Sequence, residues 1–425
     1  MQPNFDLKTR ADAYYFQNHF QVFQDMPDVA ATWNECLHEW KAAGKSSPLV
    51  DLAFSSLALS VFARTQRCQP AATEACKTYL RLLQYMQSRI LHVNSGNLDA
   101  DEIDAHLLGA YFMARYESIV QHHSVTEDSM ALKSMKVWFH FDGAAAILKS
   151  WYDNRHRYIP TATITQTRRL LMKSSLLREQ PLPRWLVDGS LFGEGGIALE
   201  FDRFTVHLID IYHKYLKLKR EYENGQSIAR ELDNTISELR RLDHDFQDWP
   251  TQFPSKWSYD KQILPESYDY MKYDFYSPTI YICARPGYAA VWNEYHATRM
   301  LISNTRLRIL DLMTSQPKQA CQSEVSQCLA QLKSSATSLA SFIPFCIDRI
   351  RVPSHSASTL NVEISNERFK PYLANLVVWP MSLASTLQKL EPAQQEWFLS
   401  GLFRVSSASG ECLISYIMND YWTVL

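Results

Sequence analysis

The chain has 425 residues, a formal net charge of −2 and a pI of about 6.7, so no overall basic excess points to nucleic acid. Hydrophobic residues make up 46% and charged residues 21%, the balance of a globular chain rather than a disordered one. Twelve glycines are few for this length, which argues for helices over turn-rich β architecture.

The N-terminal MQPNFDLKTR has no apolar core of a signal peptide, and runs such as Ala374 to Ala384 are broken by Asn375 and Pro380. No membrane span is expected from such runs, since one needs about 18 to 20 apolar residues. The expected location is intracellular. Ala11 to Phe23 is rich in Tyr and Phe. Ser47 followed by Pro48 reads as a helix start, and Val50, Phe54, Leu57 and Val61 continue at helical spacing. A second stripe, Ala72, Cys76, Tyr79, Leu83, Met86 and Ile90, follows Pro70. The two helices are joined by a short polar turn, which predicts an antiparallel hairpin. The acidic run Asp99 to Asp104 either caps the next helix or offers carboxylates to a metal, and capping is the ordinary use.

Lys136 to Trp151, KVWFHFDGAAAILKSW, carries two apolar stripes. One is Trp138, Phe141, Ala145, Leu148 and Tyr152, and the other is His140, Ala144, Ile147 and Trp151. A helix apolar on most of its circumference is predicted to be buried. Gly143 to Ala146 would let a neighbouring helix approach closely. His140 on such a stripe reads as a hydrogen-bonded core histidine rather than a base or ligand. After it come Arg168, Arg169 and the segment LLREQPLPRWL, then the glycine-rich DGSLFGEGG. A phosphate loop would need a lysine after its last glycine, and here Ile197 follows Gly196. Residues 188–196 are therefore read as a linker between an N-terminal lobe, 1–187, and a C-terminal lobe, 197–425.

The second lobe opens with a helix around Phe204 to Tyr222. Its Lys214, Lys217, Lys219 and Arg220 form either a solvated face or part of a nuclear import patch. Ile228, Leu232, Ile236, Leu239, Leu242 and Phe246 form a long stripe ending at Trp249-Pro250, with Pro254 and Trp257 beyond. In AVWNEYHATRMLISNTRLRIL, Trp292, Tyr295 and Arg299 share a helix face. A guanidinium on an apolar stripe needs a partner. Arg299 either ties two helices or holds an anionic effector.

The eight cysteines are scattered. Cys321 and Cys328 are six residues apart without further ligands nearby, so core thiols are expected and no metal or cofactor. There is no Gly-x-Ser-x-Gly, CxxC pair, HExxH or dinucleotide glycine fingerprint. The adjacent His122 and His123 would diverge on a helix, and His207 and His213 share a side only loosely. No catalytic residue is identified, and no enzyme is expected.

Several of these motifs, in order, resemble the fungal-specific transcription factor domain, the regulatory region found behind binuclear zinc-cluster DNA-binding domains. They are Tyr15-Phe16 with Asn18 and Phe20; Tyr116-Glu117; Trp138 and His140 with the Gly-Ala run; and Arg178, Pro183 and Trp185. Trp249, Pro254 and Trp257 follow, then Trp292, Asn293, Tyr295 and Arg299, then SFIPF, Pro380 to Leu390 and QQEWFLSGLFRV. The likeness spans about Tyr15 to Met418. Two departures stand out: Trp138 lies two rather than three residues before His140, and His296 replaces the usual arginine. The resemblance implies an all-α, two-lobed array of packed antiparallel helices, about fifteen in number. It also implies a nuclear transcriptional regulator, and secondary-metabolite gene clusters are the targets expected of such proteins. The zinc cluster is absent from these residues. The implied partners are therefore a DNA-binding protein or the transcription machinery, with a possible small-molecule effector, rather than DNA itself. The alternative is a metabolite-binding protein or enzyme that reuses the fold.

Overall fold

The computed structural model describes residues 5–94, 99–120, 127–265, 275–313, 319–351, 363–365, 367 and 369–409. Cys412, His122 and His123 lie outside the described residues, as does the side chain of Cys321. Thirteen α-helices occur among the described residues, and the fold is all-α. In the first half they are α1 (Phe5–Asn18), α2 (Trp33–Ala42), α3 (Pro48–Thr65), α4 (Gln69–Asn94), α5 (Ala100–Val120), α6 (Glu127–Asp153) and α7 (Ala162–Leu177). The second half supplies α8 (Gly196–Glu223), α9 (Ala229–Gln247), α10 (Pro286–Met313), α11 (Gln319–Cys346), α12 (Val378–Thr386) and α13 (Pro392–Ser409).

Local chemistry sets several starts. Thr32 and Glu35 form a reciprocal capping box at α2. Thr161 accepts from the Ile164 amide at the start of α7. Asp99 accepts from the Glu102 amide at 2.8 Å at the head of α5, so the acidic run does cap a helix. Asp104 from the same run is buried inside α5 and binds Thr161 and Lys45 instead.

The side chains of α1 to α5 form one apolar cluster, including Phe54, Leu57 and Tyr116. A second cluster, around Leu148, Trp151 and Phe192, joins α5, α6 and α7. The largest is built mainly by α8 to α13, and Met172 and Leu176 of α7 belong to it. The α9 stripe faces inward as its spacing requires, with Ile228, Leu232, Ile236, Leu239, Leu242 and Phe246 all buried. Helix α3 is long and apolar enough to cross a membrane, a stretch the run-length reading passed over. Two-thirds of its apolar window (67%) is buried within the array, as in a core helix.

Helix α6 corrects one expectation. Both stripes are packed, with Ala144, Leu148 and Trp151 buried and Phe141, Ala145, Ile147 and Tyr152 against them, but the face that carries Gly143 and Phe139, which is 61% exposed, is open. A Cβ placed on Gly143 would meet nothing within 4 Å, so no helix approaches closely there. The close approach is at Gly109 of α5, where an added Cβ would lie 2.0 Å from Leu49 of α3.

Two small antiparallel hairpins interrupt the helices. Strand β1 (Tyr259–Ile263) pairs with β2 (Thr279–Cys283), with Tyr259 opposite Cys283. Strand β3 (Ile350–Arg351) pairs with β4 (Glu363–Ile364). Ile280, Ile282 and Ile350 pack the hairpins into their own apolar cluster. The β-branched, aromatic run TIYIC suits a strand. Helical spacing gave no sign of it.

Candidate functional site

The glycine-rich segment is firmly held. Asp188 caps a short 3-10 turn, Phe192 is fully buried, and Glu194 turns inward to two arginines of α7. Arg168 Nη1 donates to Glu194 Oε2 at 2.6 Å and to Asp202 Oδ2 at 3.3 Å, and Arg169 Nε donates to the same Asp202 oxygen at 3.1 Å. Burial and the nearby Asp202 push the Glu194 carboxyl up, while the two guanidiniums pull it down. Gly189 is required beside them, because a Cβ there would sit 1.8 Å from Glu194 Oε2. The segment binds this chain's own guanidiniums, not phosphate.

Arg299 of α10 lies in a second buried network. Its Nη2 donates to Asp243 of α9 at 3.5 Å, and its Nη1 to the Tyr295 hydroxyl at 3.2 Å. Arg306 donates to Asp243 at 2.6 Å and to Glu324 of α11 at 2.7 Å. These bonds tie three helices together. An anion at Arg299 would have to displace Asp243.

The remaining motif residues meet one another. The Trp292 indole donates to the Trp257 carbonyl at 2.8 Å. Asn293, fully buried, donates to Cys346 Sγ at 3.2 Å and to the Leu376 carbonyl at 3.3 Å. The Tyr79 hydroxyl donates to Glu117 at 2.8 Å and lies 3.2 Å from His140 Nε2. Burial lowers the His140 pKa, and the Glu117 charge partly restores it. Arg178 of the LLREQ segment bonds Asp142 of α6 at 2.6 Å. His207 pairs with Glu238 at 2.8 Å. The lysines of α8 are answered along the same face, Lys214 by Asp210 and Glu238 and Lys217 by Glu221.

A cleft of about 920 Å³ lies beside the first hairpin. Phe23 and Gln21 come from the stretch after α1; Lys256 and Asp260 precede and begin the hairpin; Cys346, Asp348 and Arg351 follow α11; Lys370 and Tyr372 close it. Three of its charges, Asp348, Arg351 and Lys370, are already engaged. Asp348 accepts from Lys370 Nζ at 2.6 Å and from Arg351 Nη2 at 3.1 Å. Burial pushes the Asp348 carboxyl up, but these donors outweigh it and hold it below the usual range. Arg351 also donates twice to Glu367, at 2.8 and 2.6 Å. Two thiols line the wall. Burial pushes Cys283 up to about 12, and raises Cys346 as well. Both therefore stay protonated near neutral pH and are poor nucleophiles. Among the described residues no histidine lines the cleft. Its geometry suits binding of a polar ligand or peptide segment rather than nucleophilic catalysis.

Arg299 is not on this cleft, and none of its charged residues was singled out in the sequence. They come from segments between Gln21 and Leu373, so no local spacing could have gathered them. Among the described residues no group of three or more His, Cys, Asp and Glu could hold a metal ion. No protein-family model, curated protein or solved structure matches the chain.

Proposed function

We propose that this chain is the helical regulatory region of a fungal transcriptional regulator without its own zinc-cluster DNA reader. In this reading it acts in the nucleus on a secondary-metabolite gene cluster. It reaches DNA through a partner protein or the transcription machinery and answers to a small-molecule effector. What supports the reading is that the residues carrying the family resemblance are the ones that hold the array together. Trp292 bonds Trp257, His140 and Glu117 meet at Tyr79, and Arg178 bonds Asp142. Residues scattered over the chain form mutual ties, as fold-determining positions of one domain should.

The test is genome-wide transcript measurement in a deletion strain and in one complemented with these 425 residues. Loss of a defined gene set, restored by the chain, is the expected result. Unchanged transcripts would overturn the reading. The second reading is a metabolite-binding protein or enzyme, and the cleft beside the first hairpin favours it. Under that reading a metabolite accumulates in the deletion strain while transcripts stay constant.

A further inference from the structure

A separate pocket of about 500 Å³ lies in the first half of the chain, where α3 turns into α4 and the end of α5 covers the corner. Its apolar wall is made by Ala63, Ala72, Ala75 and Ile119, and its cations are Arg64 and Arg67. Among the described residues no carboxylate lines it. Arg64 Nη1 is buried there without a hydrogen-bond partner. Among the described residues neither Arg64 nor Arg67 has an ion pair.

Four other inward-facing arginines are answered by carboxylates. Arg168 and Arg169 share Glu194 and Asp202, and Arg299 and Arg306 share Asp243. A guanidinium drawn out of water without a counter-charge is costly, and the planar fork is suited to a carboxylate or phosphate held by two parallel bonds. The wall beyond it is mainly apolar, with Ser60, Gln69 and two thiols, Cys68 and Cys76, among the lining groups. A pocket of this volume is in the range that encloses a small molecule.

We propose that this pocket binds a small apolar molecule bearing a carboxylate or phosphate, with the acid on Arg64 and the apolar body against Ala63, Ala72 and Ile119. Calling that molecule the effector rests on the regulatory reading above; its binding does not. Arg67 stands at the mouth, more exposed than Arg64, and adds attraction for the anion.

The experiment uses the purified chain and three probes of one shape: 2-naphthoate, 2-naphthyl phosphate and the neutral 2-naphthalenemethanol. Binding is followed by calorimetry and by the rise in melting temperature. At least one acid is expected to bind one to one and at least tenfold more tightly than the alcohol. Whichever acid binds better shows whether the site suits carboxylate or phosphate. Arg64→Gln should weaken the acid at least tenfold while leaving the alcohol unchanged. Because it removes an unpaired charge, it should fold as well as the parent. Ala72→Phe, which fills the pocket, should weaken both. Equal binding of acid and alcohol, undiminished acid binding to Arg64→Gln, or no binding of any probe would overturn the proposal. Failure here leaves the transcript test untouched, and constant transcripts leave a bound naphthoate unexplained only as an effector.

Discussion

The indole N–H of Trp292 donates to the main-chain carbonyl of Trp257 at 2.8 Å, joining α10 to the turn that enters the first hairpin. The same ring packs against Phe253, Tyr259 and Phe342, with centroids 5.1, 5.0 and 6.0 Å away. One residue thus fixes both the helix and the hairpin that forms a wall of the cleft.

Trp292→Phe keeps most of the aromatic contact and removes the donor. The expected loss is about 1 kcal/mol, the usual net worth of a hydrogen bond. Trp292→Ala also removes the ring and should cost about 3 kcal/mol or more. Urea denaturation with unchanged slope reads both. A Trp292→Phe variant as stable as the parent would mean that the bond contributes nothing.

Two arginine–carboxylate contacts of equal length should differ sharply. Arg168–Glu194 and Arg178–Asp142 are both 2.6 Å, but the first is fully buried and the second has Asp142 half exposed. Glu194→Ala removes the buried acceptor of the Arg168 guanidinium, for which the expected cost is about 3 to 5 kcal/mol. Asp142→Asn loses a screened surface pair, worth about 1 kcal/mol at most. Thermal unfolding of the two variants side by side checks the order, and equal losses would contradict the role assigned to burial.

The stripe of α9 was legible because that helix buries one continuous face, so spacing and burial coincide. In α4 the buried face runs through Ala71, Ala75, Tyr79 and Leu82, offset from the expected stripe, whose Cys76 is exposed. In α6 spacing and burial coincide only in part. Its two stripes are covered, but the apolar Phe139 outside them is not, and composition cannot say where a neighbour lies. The ion pairs of the glycine-rich segment were not legible because its partners, Arg168 and Arg169, sit on a different element. Arg299 was recognisable as needing a partner, but Asp243 lies 56 residues away, and only the helix packing brings them together. The cleft is assembled from separate segments and leaves no local pattern, whereas the Arg64 pocket comes mostly from residues 60–76 and is closed by Ile119 and Val120.

His296 gives a pH-dependent prediction. Its ring lies among Trp292, Tyr295 and Phe342, and neither nitrogen has a hydrogen-bond partner. Burial, helped by the Arg299 charge, lowers its pKa from 6.5 to about 3. The folded protein therefore refuses a proton that the unfolded chain accepts below pH 6.5. Stability from this residue is complete above 6.5 and is lost as pH falls towards 3, with a limiting slope of about 1.4 kcal/mol per pH unit. His296→Phe removes the term. Stability curves of parent and variant between pH 7 and 5 should diverge, the parent falling more steeply on acidification. Parallel curves would mean that the ring is protonated in the fold.

Gly109 tests the closest helix crossing. A Cβ at this position would lie 2.0 Å from Leu49 Cδ2 and 3.3 Å from its Cγ, so the Leu49 side chain must move if alanine is introduced. Leu49 is itself 2% exposed, which leaves it little room. Gly109→Ala gains helix propensity of about 1 kcal/mol. Overpacking should cost about 1 to 3 kcal/mol, so a net loss is expected. Leu49→Ala alone should cost about 2 to 5 kcal/mol through the cavity it leaves. Together the two changes relieve each other, because the new methyl enters the space that the leucine vacates. The double variant should therefore be more stable than the sum of the single losses requires, by more than the roughly 0.5 kcal/mol expected of independent sites. Strict additivity in a urea double-mutant cycle would show that α3 and α5 are not in contact at this point.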